Sequence, residues 1–177
     1  MKKQLRKMQK LILCFGLVFL SFLLPAAAIE TVTNLNATGA GSFSRALTNV
    51  NAGGTINFNG GLNGTISVLA LQLVKSCTIN GNANVILDGG GTFKHQPWNA
   101  NLFQISASNV TIKNLTFQNS QGPNVWDGHG VILTDGLSNI TFENCNFINN
   151  AQSGLSVSDW VATAGTEKGI KNLTLTN

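Results

Sequence analysis

Two aspartates have the spacing expected of paired carboxylates that act together on a substrate or a metal ion. Asp135 and Asp159 each lie two residues after an apolar residue, Leu133 or Val157, near the end of a predicted strand. If these strands stack in neighbouring coils, the two carboxylates project about 5 Å apart. Such a pair could bind Ca²⁺ through oxygen ligands, or perform acid–base hydrolysis of a glycosidic bond, in which the carboxylate spacing decides the outcome.

A third aspartate, Asp127, lies at the opposite end of the same strand as Asp135, close to His129. Asp127, Asp135 and Asp159 are therefore the candidate catalytic residues, and Asp135 and Asp159 the candidate Ca²⁺ ligands. The alternative is that Asp127-Gly and Asp135-Gly, like Asp88-Gly, are ordinary turn dipeptides.

Three long polar loops, residues 88–101, 118–130 and 158–171, contain every Trp and every His of the chain. An indole ring can stack on the C–H face of a sugar while its N–H serves a hydroxyl group. We therefore predict a carbohydrate contact, unless each Trp folds back to anchor its own loop. The candidate substrate-binding residues are Trp98, Trp126, Trp160, His95, His129 and Lys94.

A repeat specifies the elements that must position these residues. Four segments align without gaps at spacings of 33, 30 and 33 residues: 77–81 (CTING), 110–114 (VTIKN), 140–144 (ITFEN) and 173–177 (LTLTN). Their apolar-Thr-apolar-polar pattern predicts a half-buried strand. Further short strands precede them at 71–73, 103–105, 131–133 and 155–157, and follow them at 85–87, 115–117 and 145–147. Three strands per repeat predict an all-β fold, a right-handed parallel β-helix.

Asparagine and glycine recur at the turns of this repeat. The slot after each aligned strand holds Gly81, Asn114, Asn144 or Asn177, which predicts a positive φ because these residues enter left-handed backbone space most cheaply. Stacked coils would also let successive Asn amides hydrogen-bond into a ladder. A second column, Asn109, Asn139 and Asn172, precedes the strands. The Asn-x-Thr sequons at 109, 114, 139 and 172 are interpreted as ladder residues rather than glycan sites.

A short helix is predicted before the first coil. Ser42 is a suitable N-cap, and Phe43, Ala46, Leu47 and Val50 share one apolar face. Residues 51–54 (NAGG) end the helix, and strands at 55–58 and 65–68 start the winding. Such a helix would cover the first rung of the solenoid.

The first 28 residues have the pattern of a secretory signal peptide. Five basic residues in the first ten precede a 14-residue apolar run and a Pro-Ala-Ala-Ala cleavage site, so we predict cleavage after Ala28. The alternative, an uncleaved anchor, would need about 20 apolar residues. We expect a secreted or cell-surface protein with no membrane contact after cleavage, a cap region at 29–68 and coils at 69–177. Because the sequence ends one strand into a new coil, we expect a fragment of a longer protein or an end covered by a partner.

The charge of the remaining chain gives no support for a nucleic-acid partner, and we expect none. From residue 29 onward six basic residues face seven acidic ones, so the formal charge of +4 belongs to the leader. All 23 Asn also lie after residue 28, which excludes a helical bundle. Cys77 and Cys145 could form a disulfide in an exported protein, but the repeat places both at inward positions two coils apart, and we predict free, buried thiols.

Residues 32–47 (VTNLNATGAGSFSRAL) resemble the opening motif V-T-N-L-N-D-S-G-x-G-S-L-R-x-A, which some pectate lyases share with adhesin-like surface proteins. Ala37, Phe43 and Ser44 depart from it. Residues 108–117 (SNVTIKNLTF) and 138–147 (SNITFENCNF) are similar to the pectate-lyase-like β-helix repeat. The resemblance covers nearly the whole chain after residue 28. It implies a β-helix whose polysaccharide lies beside the sheet formed by strands 71–73, 103–105, 131–133 and 155–157.

The resemblance implies an activity less clearly. Pectate lyases of this fold use an Arg base with Ca²⁺, but Arg45, the single Arg after residue 28, lies in the predicted cap helix. Motifs for serine hydrolase, zinc or nucleotide chemistry are absent from the sequence. The sequence therefore favours a non-catalytic module that binds extracellular polysaccharide, including acidic polysaccharide, or a cell surface. A pectate-lyase-like or glycoside-hydrolase-like enzyme is the alternative. Ca²⁺ is the only cofactor that these residues suggest.

Overall fold

The structure is a computed structural model that describes residues 27–68, 70–90, 101–121, 128–158 and 168–177. Within these ranges the chain winds as an all-β parallel β-helix. Every strand pairs in parallel with strands of the neighbouring coils, and the strands form three sheets.

Sheet A has six strands, in the order β1 (Ile29–Val32), β2 (Gly54–Phe58), β5 (Cys77–Asn80), β8 (Val110–Lys113), β11 (Ser138–Glu143) and β14 (Lys171–Thr176). Sheet B consists of β3 (Gly64–Ser67), β6 (Val85–Asp88), β9 (Thr116–Gln118) and β12 (Asn146–Ile148). Sheet C consists of β4 (Leu71–Leu73), β7 (Phe103–Ile105), β10 (Val131–Thr134) and β13 (Leu155–Ser158). Each full coil therefore runs from sheet A through sheet B to sheet C.

The register of the sheets confirms the repeat. In sheet A, Cys77 pairs with Val110, Val110 with Ile140 and Ile140 with Leu173, which are the first residues of the four aligned segments. In sheet C, Leu71, Phe103, Val131 and Leu155 are stacked in the same way. The register is fixed because a slip of one residue would turn every inward side chain to the opposite face.

The core is a column of inward-facing side chains inside the three sheets. Ile79 and Ile112 are fully buried, and Phe142 is nearly so. The rings of Phe103 and Phe117 lie 6.2 Å apart and nearly parallel, and that of Phe147 continues the stack 5.4 Å from Phe117. Aromatic stacking thus links consecutive coils in addition to the backbone ladder.

The asparagine turns are confirmed in detail. Asn114 and Asn144 have φ of 53° and 50°, and Asn109, Asn139 and Asn172 in the second column have φ of 58°, 57° and 56°. The Nδ2 of Asn139 donates to Oδ1 of Asn109 at 2.8 Å, and Asn172 Nδ2 donates to Asn139 Oδ1 at 2.9 Å. Asn144 donates to Asn114 at 3.3 Å. The sequon asparagines therefore use their amides in the ladders.

Gly81 is an exception, and the prediction of a positive φ there was wrong. Its backbone is not left-handed. A Cβ at this position would instead collide with the Leu115 side chain and with the carbonyl oxygens of Lys113 and Asn114 in the next coil. Gly81 is needed because the following coil approaches its backbone closely, and not because of its φ angle.

The cap helix, α1, spans Phe43–Asn49, and Ser42 is its N-cap. The Ser42 hydroxyl accepts a hydrogen bond from the Arg45 N–H at 3.2 Å. The four residues of the predicted apolar face are all buried, and Phe43 packs 5.0 Å from the Phe58 ring and 6.0 Å from the Phe103 ring. The Nζ of Lys75 donates to the carbonyls of Thr48 and Val50, which satisfies the carboxyl end of the helix.

Cys77 and Cys145 are free thiols, as predicted. Cys77 is buried on β5, where burial raises its pKa to about 11 despite the opposing charge of Lys75. Cys145 is only partly buried, and it lies between β11 and β12 rather than in the column of Cys77. The prediction that both thiols share one aligned, inward slot was therefore wrong, although the absence of a disulfide between them is correct.

Candidate functional site

The order of the strands places the three long loops at the two ends of sheet C. The loops that follow β6 and β9 lead into the amino ends of β7 and β10. The loop that follows β13 leaves from the carboxyl end of its strand and returns to sheet A. The described ends of the three loops therefore lie next to the strand ends of sheet C.

Most of the predicted site residues lie in those loops. His129 and Asp135 are within the described residues. Lys94, His95, Trp98, Trp126, Asp127, Asp159 and Trp160 lie outside the described residues.

The outward face of sheet C carries neutral polar side chains. One column on this face contains Gln72, Gln104, Ile132 and Ser156, each paired with the next. Ile132 is the apolar member of the column, and it is buried. In the next column the hydroxyl oxygens of Ser106 and Thr134 lie 2.9 Å apart. Sheet C presents no charged side chain on this face within its described strands. Such a face offers amide and hydroxyl hydrogen bonds without a net electric field.

His129 joins the amino ends of neighbouring strands of sheet C. Its Nδ1 lies 2.7 Å from the Ser153 hydroxyl, just before β13. Its backbone N–H donates to the buried Asn101 side chain, and its carbonyl accepts from Leu102 N–H just before β7. These contacts hold the loop bases in place, whatever His129 contributes to ligand binding.

Asp135 ties the carboxyl end of β10 to the next coil. Its Oδ2 accepts a hydrogen bond from the backbone N–H of Lys168 at 2.9 Å. That bond is the main reason why the pKa of Asp135 lies below its ordinary value. Weaker backbone hydrogen bonds from Gly169 and Gly136, and the charge of Lys168, lower the pKa further. Asp135 is thus an ionised hydrogen-bond acceptor at neutral pH, with a defined structural contact.

The prediction for Asp135 and Asp159 assumed that the strands before them stack in neighbouring coils. That stacking is confirmed up to Ser158, the last described residue before Asp159. Leu133 pairs with Val157 and Thr134 with Ser158, so both aspartates come directly after paired positions. His129 and Asp135, by contrast, lie at opposite ends of β10, about 20 Å apart along an extended chain. The structure does not bring these two together. No three potential metal-ligating side chains cluster in the part of the chain that the structure describes.

Asp88 is a carboxylate whose surroundings were not predicted. Its Oδ2 accepts from Gln118 Nε2 at 2.7 Å and from Asn119 Nδ2 at 3.0 Å, and its Oδ1 accepts from Gly90 N–H. Partial burial acts to raise its pKa, but these hydrogen bonds outweigh it and lower the pKa of Asp88. The Gly90 bond is that of a turn, as the Asp-Gly dipeptide predicts. The other two bonds cross coils, so only the alignment of β6 with β9 could have found them.

Comparisons with known proteins add no family to this description. No family model, curated protein or solved structure matches the chain. None of the described helices has the length and apolar character that crossing a membrane requires.

Proposed function

We propose that this chain is an exported, pectate-lyase-like β-helix that contacts extracellular polysaccharide or a cell surface without catalysis. The contact surface is the outward face of sheet C, bordered by the loops that carry the three Trp residues.

The neutral polar row on sheet C is the observation that carries the proposal. Gln72, Gln104, Ser106, Thr134 and Ser156 offer donors and acceptors on successive strands. Adjacent strands lie about 4.8 Å apart, so polar groups recur on each strand along the helix axis, although Ile132 interrupts the column of Gln72, Gln104 and Ser156. An extended polymer of hydroxyl groups matches such a row better than a compact ligand does. Trp side chains in the bordering loops would add stacking.

The charge of the chain sets a condition for acidic polysaccharides. After residue 28 the formal charge is −1, which supplies no cationic field to attract carboxylated sugars. Binding of polygalacturonate would therefore require Ca²⁺ to bridge carboxylates of protein and sugar. Asp135 and Asp159 are the proposed Ca²⁺ ligands.

A polysaccharide-cleaving enzyme is the second candidate. It is favoured by the pairing of Thr134 with Ser158, the residues that directly precede Asp135 and Asp159 in the sequence. It is disfavoured because Asp135 already accepts hydrogen bonds from backbone amides, and because Arg45 lies in α1, which contacts β4 at the edge of sheet C opposite β13, with β7 between β4 and β10. The lyase mechanism would need its base elsewhere.

A glycan array with the purified chain, read with and without millimolar Ca²⁺, tests the proposal. We expect binding to neutral polysaccharide in both conditions, and to polygalacturonate only with Ca²⁺. Combined Asp135→Asn and Asp159→Asn substitution should remove the Ca²⁺ effect, whereas Trp126→Ala should weaken binding in both conditions.

The same samples, assayed for unsaturated or hydrolysed sugar products, separate the two candidates. Product formation that is lost with Asp135→Asn and Asp159→Asn would establish the enzyme. The absence of binding to every glycan would contradict both candidates.

A further inference from the structure

The turn between β2 and β3 presents an Asn-Gly dipeptide in an unusual arrangement. Asn59 and Gly60 are exposed, and the Leu62 N–H donates to the Asn59 carbonyl at 3.0 Å, which closes a four-residue turn. The Oδ1 of Asn59 accepts a hydrogen bond from Gly61 N–H at 2.9 Å. This bond withdraws electron density from the Asn59 Cγ and so makes that carbon more electrophilic.

The neighbouring backbone nitrogen is available to attack that carbon. The Gly60 N–H donates to no acceptor within the described residues. Gly60 also has open space around it, since a Cβ built on it would have no atom within 4 Å. The Gly60 nitrogen, which is the nucleophile, is therefore neither hydrogen-bonded to a neighbouring coil nor covered by a side chain.

Two other Asn-Gly dipeptides of the described chain lack this freedom. Gly64 N–H donates to the Asn84 carbonyl at 3.0 Å, and Gly81 N–H donates to the Lys113 carbonyl at 2.8 Å. The Asn80 amide is also held, because its Nδ2 donates to Asn57 Oδ1 at 2.9 Å. At either site a hydrogen bond of the solenoid must open before the nitrogen can react.

We propose that Asn59 is a site of spontaneous deamidation in the folded protein. The Gly60 nitrogen attacks the Asn59 Cγ and loses its proton, and the side-chain nitrogen leaves as ammonia, which gives a five-membered succinimide. Water then adds to one of the two succinimide carbonyls and breaks its bond to nitrogen. Attack at the side-chain carbonyl yields aspartate, and attack at the main-chain carbonyl yields isoaspartate.

The modification would alter the first coil. Asn59 N–H donates to the Val32 carbonyl at 3.0 Å, and Asn82 Nδ2 donates to the carbonyls of Asn59, Gly60 and Leu62. Isoaspartate inserts a methylene into the backbone between these anchored groups, and both products add a negative charge. The turn between β2 and β3, and its hydrogen bonds to β1 and to Asn82, would therefore loosen as the protein ages.

The test is peptide mass spectrometry of the full chain during prolonged incubation at neutral pH, with an isoaspartyl methyltransferase assay in parallel. We expect conversion at Asn59 to be at least about tenfold faster than at Asn63 or Asn80, because local opening controls the latter two. Isoaspartate should appear with aspartate at residue 59.

Gly60→Ala is the matched variant, because the added methyl meets no other atom and should leave the melting temperature unchanged. It should slow conversion at Asn59 by crowding the nucleophile. Equal rates at all three sites in the folded chain, no effect of Gly60→Ala, or aspartate without isoaspartate would each overturn the proposal.

Discussion

At the scale of single residues, left-handed asparagines hold the coils together in two ways. Each supplies a backbone conformation that most L-residues avoid, and those of the two predicted columns also bond through their amides to the Asn one coil away. In most proteins a turn residue supplies only the backbone conformation. This double role explains why Asn, rather than Gly, fills most of these slots.

Substitution at these slots should separate the two roles. We expect Asn114→Val or Asn144→Val to cost about 1–3 kcal/mol, because a β-branched residue is strained at positive φ. Asn144→Gly should cost less, since it keeps the backbone conformation and loses only the amide bond. Denaturant unfolding measures both.

Asn146→Val is the control for this series, because Asn146 lies in β12, where φ is negative and β-branched residues are accepted. Equal stability of the Val and Gly variants at residue 144 would show that backbone strain has no part in the effect.

The Asp135 carboxylate makes a separate prediction about acid. Its pKa in the folded chain lies below its ordinary 3.8, chiefly because Lys168 N–H donates to it. The stabilisation is therefore fully present above that ordinary value and is lost as pH falls through the lower, folded pKa. Wild type should lose stability more steeply than Asp135→Asn below about pH 4. Parallel acid-unfolding curves for the two proteins would contradict the assigned contact.

At the scale of elements, the sequence repeat predicts the sheets well, because its apolar residues recur at a nearly constant interval and lie on one face of each strand. Apolar-Thr-apolar-polar allows one inward face, so the pairing of Cys77 with Val110, and of Val110 with Ile140, could be read directly from the sequence. The first strand, β1, was not predicted, because it has no partner within the repeat and forms only by adding to β2.

A third asparagine column was also missed, although the sequence contains its signal. Asn119 and Asn149 have φ of 55° and 52° and follow the stacked Phe117 and Phe147 by two residues. Extending the 30-residue alignment past these phenylalanines would have found it. The candidate site was less predictable, because its loops do not repeat and its cross-coil bonds, such as Gln118 to Asp88, depend on tertiary register.

The cap helix is the element whose removal should matter most for the first coil. Phe43 is fully buried and contacts the rings of Phe58 and Phe103. We expect Phe43→Ala to cost about 3–5 kcal/mol of unfolding free energy, as large-to-small core substitutions do. Thr48→Ala, on the exposed side of the same helix, is the control and should have a small effect. Urea unfolding would contradict the capping role if the two variants were equally stable.

At the scale of the whole molecule, the β-helix separates stability from recognition. The inward side chains and the asparagine ladders specify the coil, so the outward face of sheet C and its loops are free to differ without loss of the fold. Sheet A has an outward column of threonines at 55, 78, 111, 141 and 174, which provides a comparison surface on the same coils.

The most direct test of the proposed sheet C contact compares two residues on consecutive strands of neighbouring coils. Gln104 lies on the outward face of β7, and Thr111 on the outward face of β8 in sheet A. Affinity electrophoresis against the polysaccharide that the wild-type chain binds should show weaker binding for Gln104→Ala, by about 0.5–1.5 kcal/mol for a lost hydrogen bond. Thr111→Ala should bind as wild type does, at an unchanged melting temperature. Unaltered binding by Gln104→Ala, or equal weakening by Thr111→Ala, would contradict the assignment of the carbohydrate contact to sheet C.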